Sequence, residues 1–226
     1  MRFFYEQNQT VFTFDRIHPM QILKDEVRQR ILSIARSEFI EHGVKNSSMR
    51  NIAQKADVAT GNIYKYFRSK DEIFCTILQP LINLLERYIH SHNDELFLNV
   101  NVFRVMDLSY QNLKEMILII KRFRPELRLL LFDSDGTSFE GYIEHIIEEH
   151  TQMGTEYMRL MKERYPHINT DISPFAIHFA ASVWVKVFCE LVQHDELQEE
   201  EVERAVNEYA RFCMAGWKEL MQPFKE

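Results

Sequence analysis

The sequence predicts an all-α protein in which an N-terminal three-helix helix-turn-helix head sits on a larger helical body. Apolar residues recur at steps of three and four along most of the 226 residues, where strands would show alternation. Glycine and proline number only six each, so long helices can run with few interruptions. With 46% hydrophobic residues the chain has enough apolar surface to bury a sizeable core.

The first helix is expected over 21–42. Val27, Ile31, Ala35 and Phe39 repeat every four residues, and Gly43 follows as a C-cap. Arg30 and Arg36 read as a solvated face, whereas Lys24 and Arg28, nearer the helix start, could touch a phosphate backbone. Residues 48–70 then read as two short helices around a three-residue turn. Ser48 caps the first, whose apolar face is Ile52, Ala53 and Ala56. Asp57, Val58 and Ala59 make the turn, and a second helix over 60–67 places Ile63 and Phe67 four apart. Its outer face keeps Thr60, Asn62, Tyr64, Lys65 and Tyr66. Hydrogen-bonding groups and a cation on a short exposed helix suit base edges and phosphates in a major groove.

These residues resemble the TetR/AcrR family of one-component bacterial transcription regulators. The shared pattern is Ile52-Ala53, Val58, Gly61-x-Ile63-Tyr64-x-Tyr66-Phe67 and Ser69-Lys70-x-Glu72-Ile73. Two positions depart from it: Asp57 stands where glycine is common in the turn, and Ala59 where a serine often caps the second helix. The resemblance implies that Arg50 and Asn62 reach base edges and that Thr60 and Gly61 lie close to bases or backbone. It assigns Tyr64, Tyr66 and Lys70 to phosphate, with Ser48 and Lys65 completing the DNA-binding set. It also implies a homodimer joined through the last two helices, a pseudo-palindromic double-stranded operator, and a small-molecule effector held in the body. Residues 20–74 are thus the expected DNA-binding domain and residues 75–226 the effector-binding and dimerisation domain. Most simply this is a ligand-responsive repressor. A small-molecule-binding or adapter protein that has lost operator reading is the alternative, motivated by Asp57 and Ala59.

Charge supports the division. Residues 20–74 hold 10 Lys+Arg against 7 Asp+Glu, a net of +3, while residues 75–226 hold 15 against 25, a net of −10. A basic head on an acidic body suits a protein that presents one end to a polyanion. Residues 1–19 precede the resemblance and receive no role. They contain Phe3, Phe4, Tyr5, Phe12 and Phe14 but lack the layout of a signal peptide. No run of 18 apolar residues occurs, so no transmembrane helix is expected. Cys75, Cys189 and Cys213 lie within apolar helical patterns, as buried free thiols of a cytoplasmic protein do.

In the body, Ser69-Lys-Asp-Glu72 has the form of a capping box and opens a helix toward His90, with a bend expected at Pro80. Residues 91–101 read as a polar loop. A helix follows to about Phe123, and Pro125 starts a short one to Phe132. Thr137-Ser-Phe-Glu140 reads as another capping box, opening a long helix through Arg164. Ser173-Pro174 starts a helix to about Val192 that is apolar almost all round and must be covered on more than one side. The last helix, from 195–199 onward, carries a stripe suited to a bundle with a second subunit. Ala176, Ala180, Val206, Tyr209, Cys213, Gly216 and Leu220 are the expected interface. Aromatic and methionine side chains suit a pocket for a mostly apolar ligand, with Phe103, Met106, Tyr110, Phe139, Tyr142, Tyr157, Phe179, Val183 and Trp184 as its candidate lining.

No catalytic, metal or cofactor site emerges. His145 and His150, and His90 and His92, lack a third ligand at metal-site spacing and read as surface histidines. Nucleotide-binding glycine loops, a nucleophile elbow and Cys-x-x-Cys are all missing. An enzyme is therefore not expected.

Overall fold

In the computed structural model, which describes residues 19–90, 98–103 and 106–224, the chain forms eight α-helices. They are α1 (Pro19–His42), α2 (Met49–Lys55), α3 (Thr60–Ile63), α4 (Lys70–His90), α5 (Met106–Phe132), α6 (Tyr142–Arg164), α7 (Pro174–Gln193) and α8 (Glu199–Met221), with a 3₁₀ turn at Val100–Phe103 before α5. No strand occurs among the described residues, in agreement with the all-α expectation.

Most helix ends have a local cause. Gly43 ends α1 with φ +76, a left-handed conformation that glycine adopts without Cβ strain, and its N–H bonds the Phe39 carbonyl at 2.9 Å. Ser48 caps α2 by accepting from the Asn51 N–H at 3.2 Å. Ser173 caps α7, with Pro174 at its first turn. Ser69 Oγ accepts from the Glu72 N–H at 3.0 Å, while the Glu72 carboxylate reaches back to the Arg68 N–H at 2.6 Å.

Several elements differ from the sequence expectation. The helix expected over 60–67 is α-helical only to Ile63. Beyond it the Lys65 and Tyr66 N–H groups bond the Asn62 and Ile63 carbonyls, a tighter i to i+3 pattern. Ala59 offers no side-chain cap, so so short a helix has little to propagate it. Thr137–Glu140 makes a turn, not a helix start: Thr137 Oγ1 bonds the Ser134 carbonyl at 2.6 Å, Glu140 accepts from the Gly136 N–H, and α6 begins only after Gly141. The two helices expected on either side of Pro125 form one element, α5, broken at Phe123 (φ −123, ψ 20). Proline has no N–H to give the preceding turn, which places the break there. As expected, α4 continues through Pro80 to His90 as one helix. Finally, α7 is long and apolar enough by composition to cross a membrane, contrary to the expectation from unbroken apolar runs; 39% of its apolar window is buried in the chain. It packs along α6 and α5, as a core helix of the body does.

One apolar core joins head and body. Ile31, Ala35 and Phe39 of α1, Ile52 of α2, Ile63 of α3 and Phe67 are continuous with Phe74, Leu78 and Leu81 of α4. The same cluster runs on through Leu127 and Leu130 of α5 to Val185 and Val192 of α7 and Val202 and Val206 of α8. Edge-to-face rings step across the junction, Phe39 to Phe74 at 5.8 Å and Phe74 to Phe139 at 6.3 Å.

Polar contacts fasten the same seam. Arg36, expected to be solvated, donates from Nε to Glu126 at 2.5 Å across 90 residues of sequence, and Glu126 is buried with its Oε2 atom lacking a protein partner. Asp71 accepts from the Ser138 N–H at 2.8 Å and from its hydroxyl at 2.5 Å. Arg124 and Arg128, on either side of Glu126, bond the last carbonyls of α7 at Leu191, Val192 and Gln193. The short segment after the α5 break therefore holds the end of α7 on one side and α1 on the other. Arg36→Ala strands a buried carboxylate and should cost about 2–3 kcal/mol, the lower range for a pair with one half-exposed partner. Arg36→Leu with Glu126→Leu should recover most of that loss in urea denaturation. Equal losses in the single and double variants would show that the ion pair contributes nothing.

Candidate functional site

The head presents its polar residues because its apolar ones are consumed in the core. Ile52, Ala53, Ala56, Ile63 and Phe67 are buried, which turns Arg50, Thr60, Gly61, Asn62, Tyr64 and Lys65 outward on one surface, all exposed. Arg30, expected in solvent, donates to the Ala56 carbonyl at 2.8 Å and so holds the end of α2 against α1. The Arg28 guanidinium lies 4.8 Å from the centre of the Phe67 ring. Asp57 takes up φ 52 in the turn, the left-handed position for which glycine is the easier residue.

Three head residues have less freedom than expected. Lys70 donates to the Val44 carbonyl and to the Ser47 carbonyl at 2.8 Å, and partial burial holds its pKa below the ordinary lysine value. It ties the loop before α2 to the start of α4, so its cation is spent within the head. Ser48 is likewise occupied as the α2 cap, and Tyr66 is half-buried against the core.

The body holds a cavity of about 500 Å³ between α6, α7 and α8. Phe103, Tyr157, Phe179, Val183 and Trp184 line it as expected. Phe139 and Tyr142 do not. Their rings meet at 5.8 Å beside Phe74, at the junction with the head. The side chains of Met106 and Tyr110 lie outside the described residues. His150, read as a surface residue, is buried and lines the cavity, with Nδ1 3.0 Å from the Ile146 carbonyl.

The sequence reading missed further lining residues. Tyr88, Gly154, Ile177, Cys213 and Trp217 also face the cavity. Gly154 had a readable signal, a lone glycine inside an otherwise regular helix. A Cβ there would meet Ile177 Cγ2 at 2.8 Å, so glycine is what lets α6 and α7 approach. Burial pushes Tyr157 up to about 12 and raises Tyr88 and Tyr209 as well, so these phenols stay neutral. Among the described residues that line it there is no Asp, Glu, Lys or Arg. The site therefore offers apolar walls with phenol, imidazole and indole groups.

The expected dimer face also changes. Val206 is buried in the chain's own core and Tyr209 and Cys213 line the cavity, so Val206 leaves the interface set. Ala176 and Ala180 are half-buried on α7, while Gly216 and Leu220 are exposed on α8. Phe175, Phe179 and Phe212, not emphasised by their spacing, stand exposed beside them.

A helix-turn-helix head seated on a helical body with a cavity defines a class of DNA-binding regulatory protein. Residues 31–76 match the profile described as bacterial regulatory proteins, tetR family. Over these residues, the core of the head, the chain is similar to that family. An HTH-type transcriptional regulator of Staphylococcus aureus (strain USA300) is 31% identical over 80 residues, which are 35% of this chain and 43% of that protein. The match thus spans less than half of the relative. Among solved structures, NalD, the secondary repressor of the MexAB-OprM multidrug efflux pump in Pseudomonas aeruginosa, aligns with a TM-score of 0.57 at 19% identity over 90% of this chain and 100% of its own. The ketosteroid transcriptional regulator KstR2 of Mycobacterium tuberculosis aligns at 0.55 and 15% identity over 84% and 93%. At these identities the likeness is one of fold.

The bonds of Lys70 make it a stability residue. Lys70→Ala should lower the stability of the folded chain by about 1–3 kcal/mol in chemical denaturation. The dependence of DNA affinity on salt should keep its slope. A slope flatter by about one unit with unchanged stability would return Lys70 to the phosphate contacts.

Proposed function

We propose that this protein is a ligand-responsive transcription repressor that acts in the cytoplasm as a homodimer on a pseudo-palindromic operator. Residues 20–74 serve as its DNA-binding domain and residues 75–226 as its effector-binding and dimerisation domain. The observation that carries this reading is the coexistence of an exposed polar head surface, Arg50, Thr60, Asn62, Tyr64 and Lys65, with an uncharged cavity in the body. Nothing in the head's own packing requires those polar side chains, whereas base edges and phosphates would use each of them. The repressor sign follows NalD, which shares the fold and is a repressor.

Arg50 and Asn62 are proposed as base readers, since arginine forks onto guanine and asparagine onto adenine. Tyr64 and Lys65 supply backbone contacts. A ligand in the cavity bears on α7, whose end is held by Arg124 and Arg128 on the segment that also holds α1 through Glu126. DNA is released to the extent that the ligand prefers the arrangement in which the heads no longer fit successive grooves.

The test is binding to the chain's own upstream promoter region, with the site mapped by footprinting. Arg50→Ala and Asn62→Ala should each weaken operator binding by about 1–3 kcal/mol and relax preference at one base position. Binding to random duplexes should change far less. Equal losses on operator and random DNA would remove these residues from base reading, and failure of the parent chain to select any site would favour the adapter alternative.

A further inference from the structure

The cavity and the apolar face of the body meet. Tyr209 and Cys213 of α8 and Ala180 of α7 line the cavity, yet they belong to the helix faces that also carry the exposed rings. Phe179 and Phe212 do both at once: each lines the cavity while remaining 63% and 76% exposed. Phe175 is 76% and Leu220 49% exposed on the same two helices. Because α7 leans on α6 and α8 on α5, the space between α7 and α8 opens outward. A ligand in it would leave an apolar side in water.

Three features favour a second copy of this chain as the cover. The four exposed side chains present together about 500 Å² of apolar surface, and an isologous pair would bury about 1,000 Å², near the lower bound for a specific interface. The face is self-complementary, as a two-fold contact requires: Phe212 projects one turn before Gly216, where a Cβ would have nothing within 4 Å. A glycine inside a helix costs roughly 1 kcal/mol against alanine, and no neighbour within the chain calls for it. Two of the flanking cations are matched in place, Lys186 by Glu190 at 2.7 Å and Arg204 by Glu208 at 3.0 Å, and so do not call for a highly charged partner.

We infer that the effector cavity is completed by the second copy: its α7 and α8 close the mouth, and its Phe212 settles over Gly216 to form part of the wall around an uncharged apolar ligand. This rests on the homodimer and cavity of the proposed function and adds that neither copy holds the ligand alone. Ligand and partner then share one surface, so each must strengthen the other's binding by the same factor.

The test uses the full chain and N-phenyl-1-naphthylamine, an uncharged aromatic amine whose fluorescence rises in apolar surroundings. Gly216→Arg and Leu220→Glu change exposed positions that do not line the cavity, so folding and the chain's own walls are kept. Sedimentation should show a dimeric parent and monomeric variants. Probe affinity in the monomers should fall about tenfold or more, the factor for returning roughly 55 Å² of apolar ligand surface to water. Saturating probe should tighten dimerisation of the parent. Monomeric variants that bind the probe as well as the parent would overturn the shared cavity while leaving the dimer intact. Variants that remain dimeric would overturn the seam assigned here. A parent that is monomeric, or that does not bind the probe, would instead overturn the proposed function from which this inference starts.

Discussion

The joining of head and body depends on one apolar core that does not stop at the boundary of the head. Phe39 packs edge-on against Phe74, which in turn meets Phe139 of the body, and the cluster continues to Leu130 and Val192. A head of one long and two short helices buries a smaller share of its surface than a larger domain does, and alone it would be marginal. Its stability is therefore drawn from α4 and α5. The consequence is mechanical as well as energetic, because close-packed interiors transmit displacement and do not absorb it.

The polar contacts at the junction set direction where the apolar ones set strength. Hydrophobic burial is indifferent to small rotations, whereas Arg36 meeting Glu126 and Asp71 meeting Ser138 fix which part of α1 and α4 faces the body. Glu126 is buried beside a partner that is only half covered, which makes the pair costly to leave unmatched. Arg124 and Arg128 use the same segment to hold the carbonyl end of α7, where cations complement the helix dipole. The cavity, the exposed rings of α7 and α8, and the head are thus all within reach of α7 and the segment that grips it.

Local signals were legible in the sequence and distant partners were not. Ser48, Gly43, Ser173-Pro174 and Pro125 act through their own backbone neighbours, and each marks a helix end or break where the residue type alone predicts it. Thr137–Glu140 has the same lettering as a capping box, but the Thr137 hydroxyl is taken by Ser134 and Ser138 is taken by Asp71. Periodicity found the apolar faces without saying what each touches. Val206 therefore appeared available to a partner when it is buried within the chain, and Phe139 and Tyr142 appeared to face a ligand when they face the head. Arg30, Arg36 and Lys70 find carbonyls and a carboxylate between 23 and 90 residues away, a pairing no local pattern encodes. The exposed head residues were legible because exposure there is what remains once Ile52, Ile63 and Phe67 are buried.

If head and body share one core, they must open together. Amide hydrogen exchange under native conditions, followed residue by residue in rising low concentrations of urea, tests this most directly. The account predicts that the amides of Ile52, Ala53 and Phe67 in the head and of Leu130 and Val192 in the body exchange through one opening, with a common free energy and a common steep denaturant slope. Head amides that exchange through a cheaper opening of their own, with a shallow slope while the body stays protected, would contradict it.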